Sequence, residues 1–382
     1  MRESAAIRHL REYIAIPSVN PMRRTDQDPA IVGERRYAEH LREQLRRLGL
    51  DVELVGDPER PSVIAYASVP DAGETLLVAS HLDTVPVDGM EIPPFDPRVA
   101  DGRVFGRGAC DTKGGMAALV AALERVLAQG TLRRNVIVVG EADEELGGTG
   151  VNDVIAHLAS HPPDWVIATE PTELRVVTRH KGIVHARLRA GGVACHSSDP
   201  SQGRSAVLAL CRAVLALDEL ASEIGRRPDP KLGPATLSVG QIGGGTATNI
   251  VPDDAWLLLD RRCLPGEDET LVRAELEGLL AKHALDDVRV EWCSLEKAAL
   301  ATPEEDPSVR TVQAALRFSA LDPTPDSVAF GTDAGVFSAH GIPGVVFGPG
   351  SIAQAHTAAE WVAIDQVEAA SSIFERILSS RD

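Results

Sequence analysis

Aromatic residues are scarce: Phe, Trp and Tyr make up 4% of the 382-residue chain. A core must therefore be built from Leu, Val, Ile and Ala. Cysteine is scarce too. Cys110, Cys195, Cys211, Cys263 and Cys293 are odd in number and no two stand in CxxC spacing. That excludes a disulfide framework and a thiolate zinc site, and it fits a reducing compartment. Positive charge is short: 38 Lys and Arg face 56 Asp and Glu, for a net charge of −18. Beyond short runs such as Arg46-Arg47 there is no basic cluster, so neither nucleic acid nor an anionic membrane surface is an expected partner. No run approaches the roughly 18 apolar residues of a membrane helix. The opening "MRESAAIRHLREYIAIPSVNP" interleaves charge with apolar residues and lacks the apolar stretch of a signal peptide, so a cytoplasmic protein is expected.

What is present is a 44% hydrophobic chain, enough for a sizeable core. Its length suggests about two or three domains, or one large domain with an insertion. Residues 3–16, 33–49 and 115–129 have helical apolar spacing. Short apolar runs at 63–67, 76–79, 136–139, 165–168 and 345–347 are bounded by turn residues, as buried strands of a mostly parallel α/β sheet would be. The middle of the chain reads differently. "GIVHARLRAGG" alternates like a half-exposed strand, 205–224 is helical, two strands flank Gly243-Gly244-Gly245, and a helix at 267–285 precedes "DVRVEWCSL". That is a ferredoxin-like β-α-β-β-α-β order. The expected division is a catalytic domain at 1–179 and 295–382, with an inserted α+β domain at 180–294.

Several of the expected α/β strands lead into ionisable residues. The run at 76–79 leads into His81 and Asp83, and 136–139 into Asp143, Glu144 and Glu145. The run at 165–168 leads into Glu170, and 345–347 into a loop ending at His356. Asp111 lies in the glycine-rich "GRGACDTKGG". Open α/β sheets bind ligands at the carboxyl ends of their strands. Imidazoles and carboxylates without thiolate suit zinc, with manganese or cobalt as substitutes. Two histidines and three carboxylates exceed the need of one catalytic zinc, and they suit two metals sharing a carboxylate.

These segments resemble the di-zinc metallohydrolases that include acetylornithine deacetylase, succinyl-diaminopimelate desuccinylase, aminoacylase and glutamate carboxypeptidase (peptidase family M-twenty). The resemblance runs through "IPSVNP", "SHLDTVP", "GRGACDTKGG", "EADEELGG", "TEPTE", "HSSDPSQGRSA", "GTDAG" and "AHTAAEWV", in that order along essentially the whole chain. It implies two zinc ions per subunit. His81 and Glu170 would bind the first, Glu145 and His356 the second, and Asp111 would bridge them. Asp83 would orient the His81 imidazole and Glu144 would be the general base. His196, in the inserted domain, would reach a neighbouring subunit's site and stabilise the oxyanion. The inserted domain would serve as lid and dimerisation surface, which implies a homodimer. Asn249 and Arg262 match positions that contact substrate. The implied activity is amide hydrolysis of N-acyl amino acids, with a carboxypeptidase or dipeptidase as the alternative within the family and a non-catalytic metal-binding scaffold as the alternative outside it.

One position departs from the pattern. Relatives often read His-Thr-x-Asp-Glu where this chain has His356-Thr357-Ala358-Ala359-Glu360. Plainer readings also exist: Asp83 as a turn cap, the 143–145 acids as a solvated loop, His196 as a surface histidine, and Arg262 as an ion-pair residue. Cys110 and Cys195 read as packing residues, and His180, His185 and His340 as structural.

Overall fold

The computed structural model describes residues 3–380, so the outermost residues of the expected catalytic segments lie outside it. The chain divides into two compact units. One holds the residues through Thr178, Thr302–Asp326 and those from Thr332 on; the other holds Arg179–Ala301 and Ser327–Gly331.

The first unit is built on a sheet whose strands lie in the order Asp51–Val55, Ser62–Ala67, Asn135–Glu141, Thr75–His81, Trp165–Ala168 and Gly344–Val346, followed by Val177–His180. The sheet is mixed, where the apolar runs predict mostly parallel pairing. Its central junctions, from Asn135–Glu141 through Thr75–His81 and Trp165–Ala168 to Gly344–Val346, are parallel. Both junctions of Ser62–Ala67 are antiparallel, as is the pairing of Val346 with Val177. A strand buried on both faces is a continuous apolar run whichever way its neighbour points, so composition does not report direction. The short link between Asp51–Val55 and Ser62–Ala67 allows a hairpin, whereas parallel neighbours need a long crossover.

Within Thr75–His81 the side chains alternate between faces. Leu76 and Val78 join one apolar cluster, Leu77 and Ala79 the other. The first cluster contains helix Lys113–Gln129, buried from Lys113 through Leu123 and packed by Ala5–Ile14 and Ile364–Ser379. Close packing of this helix depends on Gly115, where a Cβ would stand 2.6 Å from Thr169 Oγ1. The second cluster takes Val151, Val154 and Leu158 of Thr149–Leu158 and Phe337 of Asp333–Ala339.

The second unit has the order Gly182–Gly191, Ala206–Ile224, Thr236–Gly244, Asp254–Cys263, Glu269–Lys282, Val288–Lys297, which is β-α-β-β-α-β. Its four strands are antiparallel, in the spatial order Thr236–Gly244, Asp254–Cys263, Gly182–Gly191, Val288–Lys297. The two central strands alternate strictly. Val184, Ala186 and Leu188 face the helices together with Ala255, Leu257 and Leu259. The other face carries ion pairs such as Arg187–Glu291 and Arg189–Asp254. Among the described residues no helix is long and apolar enough to cross a membrane.

Candidate metal centre

The parallel junctions align the carboxyl ends of their strands on one edge of the sheet. His81 is the last residue of Thr75–His81, and Asp83 follows at once. Glu144 and Glu145 follow Asn135–Glu141, and Glu170 follows Trp165–Ala168. His356 ends the loop after Gly344–Val346. Asp111 comes from the loop that enters Lys113–Gln129.

Asp111 is the hub. Its Oδ1 lies 2.9 Å from His81 Nε2 and its Oδ2 lies 3.2 Å from His356 Nε2. His356 Nε2 is also 3.2 Å from a Glu145 carboxylate oxygen. His81, Asp111 and Glu145 offer ligand atoms that all lie within 4.8 Å of one another. Glu170 is half-buried and interacts electrostatically with His81, Asp111, Glu144 and Glu145.

Burial and close approach shift the ionisation of these groups strongly. Burial, with the Asp111 charge adding to it, pushes the Glu145 carboxyl up to about 7. Burial lifts Glu170 well above the carboxylate range; His81 opposes that, and the neighbouring carboxylates reinforce it. Hydrogen bonds that Asp111 and Glu145 accept raise His356 to about 10. Burial would lower His81, but Asp111, Asp83 and Glu170 outweigh it and raise the imidazole. Burial would likewise raise Asp111, and its two histidine partners outweigh that and lower it. A group of buried and half-buried carboxylates around two imidazoles, with no thiolate among them, fits hard to borderline divalent ions such as zinc. The nearest thiol, Cys110, donates to the Ser351 carbonyl and is pushed up by burial, so it is no thiolate ligand.

Asp83, fully buried, lies beneath these groups. His81 Nδ1 is 2.9 Å from the Asp83 carbonyl oxygen and 3.5 Å from its Oδ1. The main chain therefore takes the ring nitrogen more closely than the carboxylate does. The carboxylate instead accepts the backbone N–H groups of Glu144 and Glu145, each at 3.1 Å, and the Asn20 amide at 2.8 Å. A turn cap alone would not hold that position.

His196, Asn249 and Arg262 belong to the second unit. His196 is exposed, with Nδ1 2.8 Å from Ser198 Oγ. It bridges Ile250, next to Asn249, whose carbonyl accepts Ser197 N–H at 3.0 Å. Arg262 donates to Asp260 at 2.9 Å, so an ion pair is formed there.

Two groups of residues escaped the sequence reading. Asn20 Nδ2 bridges Asp83 and Asp143, and Asp143 in turn meets Arg60, which pairs with buried Glu34. The only signal was the "IPSVNP" segment, which names no partner. Glu360 is also fully buried and accepts four donors from residues 107–111. Its signal was its place beside His356 in "AHTAAEWV".

The model of peptidase family M20/M25/M40 matches residues 77–380. The chain is 30% identical over 329 residues to an acetylornithine deacetylase of Myxococcus xanthus, covering 84% of each protein. It is 31% identical to a succinyl-diaminopimelate desuccinylase of Alkalilimnicola ehrlichii, covering 88% of this chain and 92% of that one. In fold it is similar to an M20 family metallo-carboxypeptidase of Sulfolobus solfataricus, with a TM-score of 0.81 at 22% identity over 99% of each chain.

Proposed function

The chain belongs to peptidase family M20/M25/M40, and from that premise we propose that it is a zinc-dependent amidohydrolase that releases amino acids from their N-acyl derivatives. The observation that carries this reading is Asp111, which turns one oxygen to each of two histidines amid buried and half-buried carboxylates. His81 and Glu170 would hold one zinc, Glu145 and His356 the other, with Asp111 shared. Such ions, when bound, would polarise the scissile carbonyl and acidify the attacking water.

The protein's own groups do the rest. Glu144 takes the water proton and returns it to the departing amine, the work of a general base that becomes a general acid. Asp83 fixes the backbone of Glu144 and Glu145 through their N–H groups, which holds the base in place. In this reading the inserted unit is lid and dimerisation surface in a homodimer. His196 donates to the carbonyl oxygen as negative charge develops there. Asn249 and Arg262 contact substrate, and a guanidinium suits its carboxylate.

The test is hydrolysis by zinc-loaded protein across N-acetylornithine, N-succinyl-diaminopimelate, other N-acyl amino acids and several dipeptides. Preferred cleavage of one acyl amino acid supports the proposal and names the acyl group. Cleavage confined to dipeptides replaces it with peptidase activity. No turnover on any member, with zinc verified as bound, refutes the deacylase reading.

A further inference from the structure

The loop that carries Asp111 is curled on itself. Gly108 has φ +81°, a left-handed conformation that glycine adopts without a steric penalty. Around that turn the N–H groups of Gly108, Cys110 and Asp111 converge. Such a concavity of backbone amides is an anion site. Here the anion is supplied by the protein. Glu360 Oε2 accepts Gly108 N–H at 3.0 Å, and Oε1 accepts Cys110 N–H at 2.9 Å and Asp111 N–H at 3.1 Å. Arg107 adds a charged donor at 2.7 Å to Oε2. Glu360 and Arg107 are both buried.

Glu360 also belongs to the other side of the pocket. It lies four residues after His356 and directly precedes the short strand Trp361–Ala363, which pairs antiparallel with Arg103–Phe105. Its own carbonyl accepts Gly106 N–H at 3.0 Å, and the Ala358 carbonyl accepts Glu91 N–H at 2.8 Å. The segment 356–360 and the loop 106–111 are thus tied by side chain and main chain together. Neither Glu360 nor Arg107 points a ligand atom at the pocket: the carboxylate oxygens are consumed by the four donors.

We propose that Glu360 is a positioning residue for the metal centre, whose buried carboxylate fixes the Asp111 loop against the His356 segment and so sets metal affinity without touching metal or substrate. The proposal rests on the reading of Asp111 and His356 as ligands. A bridging carboxylate must present its two oxygens in fixed directions, and Asp111 is oriented through its own N–H by Glu360. Loss of such outer partners costs metal sites about 10–100-fold in affinity.

The experiment is a competition titration of zinc against a chromophoric chelator, with full-length wild-type, Glu360→Gln, Glu360→Asp and Glu267→Gln proteins. Unfolding of each zinc-free protein is measured alongside. Gln keeps the shape but offers one acceptor oxygen where Glu offers two. Asp keeps the charge and withdraws it by one methylene. Glu267 pairs with Arg261 in the inserted unit, so its loss controls for stability alone. The expected result is a tenfold or greater loss of zinc affinity in Glu360→Gln, with turnover recovered at saturating zinc and substrate KM unchanged. Glu267→Gln should lose stability and keep its affinity. If Glu360→Gln does not fold, Glu360→Asp carries the test, with an expected loss of threefold or more. Wild-type affinity in a folded Glu360 variant overturns the proposal. Wild-type protein that takes up no zinc at all overturns the underlying assignment of ligands instead.

Discussion

Asp83 and Glu360 are the same device used twice, with different charge compensation. Each is a buried carboxylate that grips the backbone N–H groups of a loop carrying pocket residues: Glu144 and Glu145 for one, Asp111 for the other. Glu360 is balanced by Arg107, whose guanidinium also donates to the Pro86 carbonyl. Asp83 has only the neutral Asn20 amide and the His81 imidazole, which is itself part of the pocket. Burial pushes Asp83 up, and His81 and the amide donors pull it lower still than its ordinary value. The Asp83 charge is therefore tied directly to a pocket imidazole, whereas burial raises the Glu360 carboxyl and Arg107 opposes that, with the Asp111 charge a smaller influence. Changes at Asp83 should reach catalysis itself, whereas changes at Glu360 should reach it only through metal affinity.

The largest effect lies where neither carboxylate can compensate. Glu144→Ala should lower turnover by about 10²–10⁴-fold, the usual worth of a general base, with bound zinc unchanged by metal analysis. Loss of zinc together with turnover would mean that Glu144 is a ligand, and that the Asp83 clamp holds two ligands rather than a ligand and a base.

Next comes the contrast itself. Asp83→Asn should weaken zinc binding by about 10–100-fold and leave kcat depressed at saturating zinc. In Glu360→Gln, kcat should recover. Steady-state kinetics over a zinc titration separates the two, and recovery in both variants would erase the distinction.

A smaller effect tests the neutral side of the Asp83 clamp. Asn20→Ala leaves Asp83 and Asp143 without their shared donor, at a cost of about 1–3 kcal/mol. Denaturant unfolding of the zinc-free protein reads this directly. A change below a few tenths would show that Arg60 and the backbone amides suffice without Asn20.

The last effect, absent at neutral pH, concerns a buried titratable group outside both clamps. Burial holds the His180 imidazole down at about 4. Below the unfolded value near 6.5 the unfolded chain gains a proton that the folded chain refuses. Stability should therefore fall as pH drops from about 6.5 to about 4, by on the order of 3 kcal/mol from this residue. His180→Gln should flatten that part of the stability–pH curve. An unchanged curve would show that His180 accepts its proton in the folded state.

The contrast between the two carboxylates also marks what was legible in the sequence. Asp83 stands two residues from His81 at the end of an apolar run, so a local pattern names both. The partners of Glu360 lie about 250 positions away, and its place four residues after His356 does not by itself mark it as a buried anion. The resemblance sets an acid at 359, where this chain has Ala359, while the carboxylate that the fold buries is the next one, Glu360. The fold divides in the same way. The central strands and the β-α-β-β-α-β order of the second unit are legible because burial on two faces or one leaves a run or an alternation. The direction of Ser62–Ala67 is not, because pairing is a nonlocal property of a strand whose apolar run suits either direction.

The most direct test of the metal-centred account is turnover measured as zinc is returned to chelated protein, with bound metal counted at each step and Asp111→Asn run beside it. The account predicts no turnover without metal, a rise that follows zinc until two ions are bound per chain, and neither binding nor turnover recovered in Asp111→Asn. Full turnover in the zinc-free protein, or a normal zinc titration in Asp111→Asn, would contradict it.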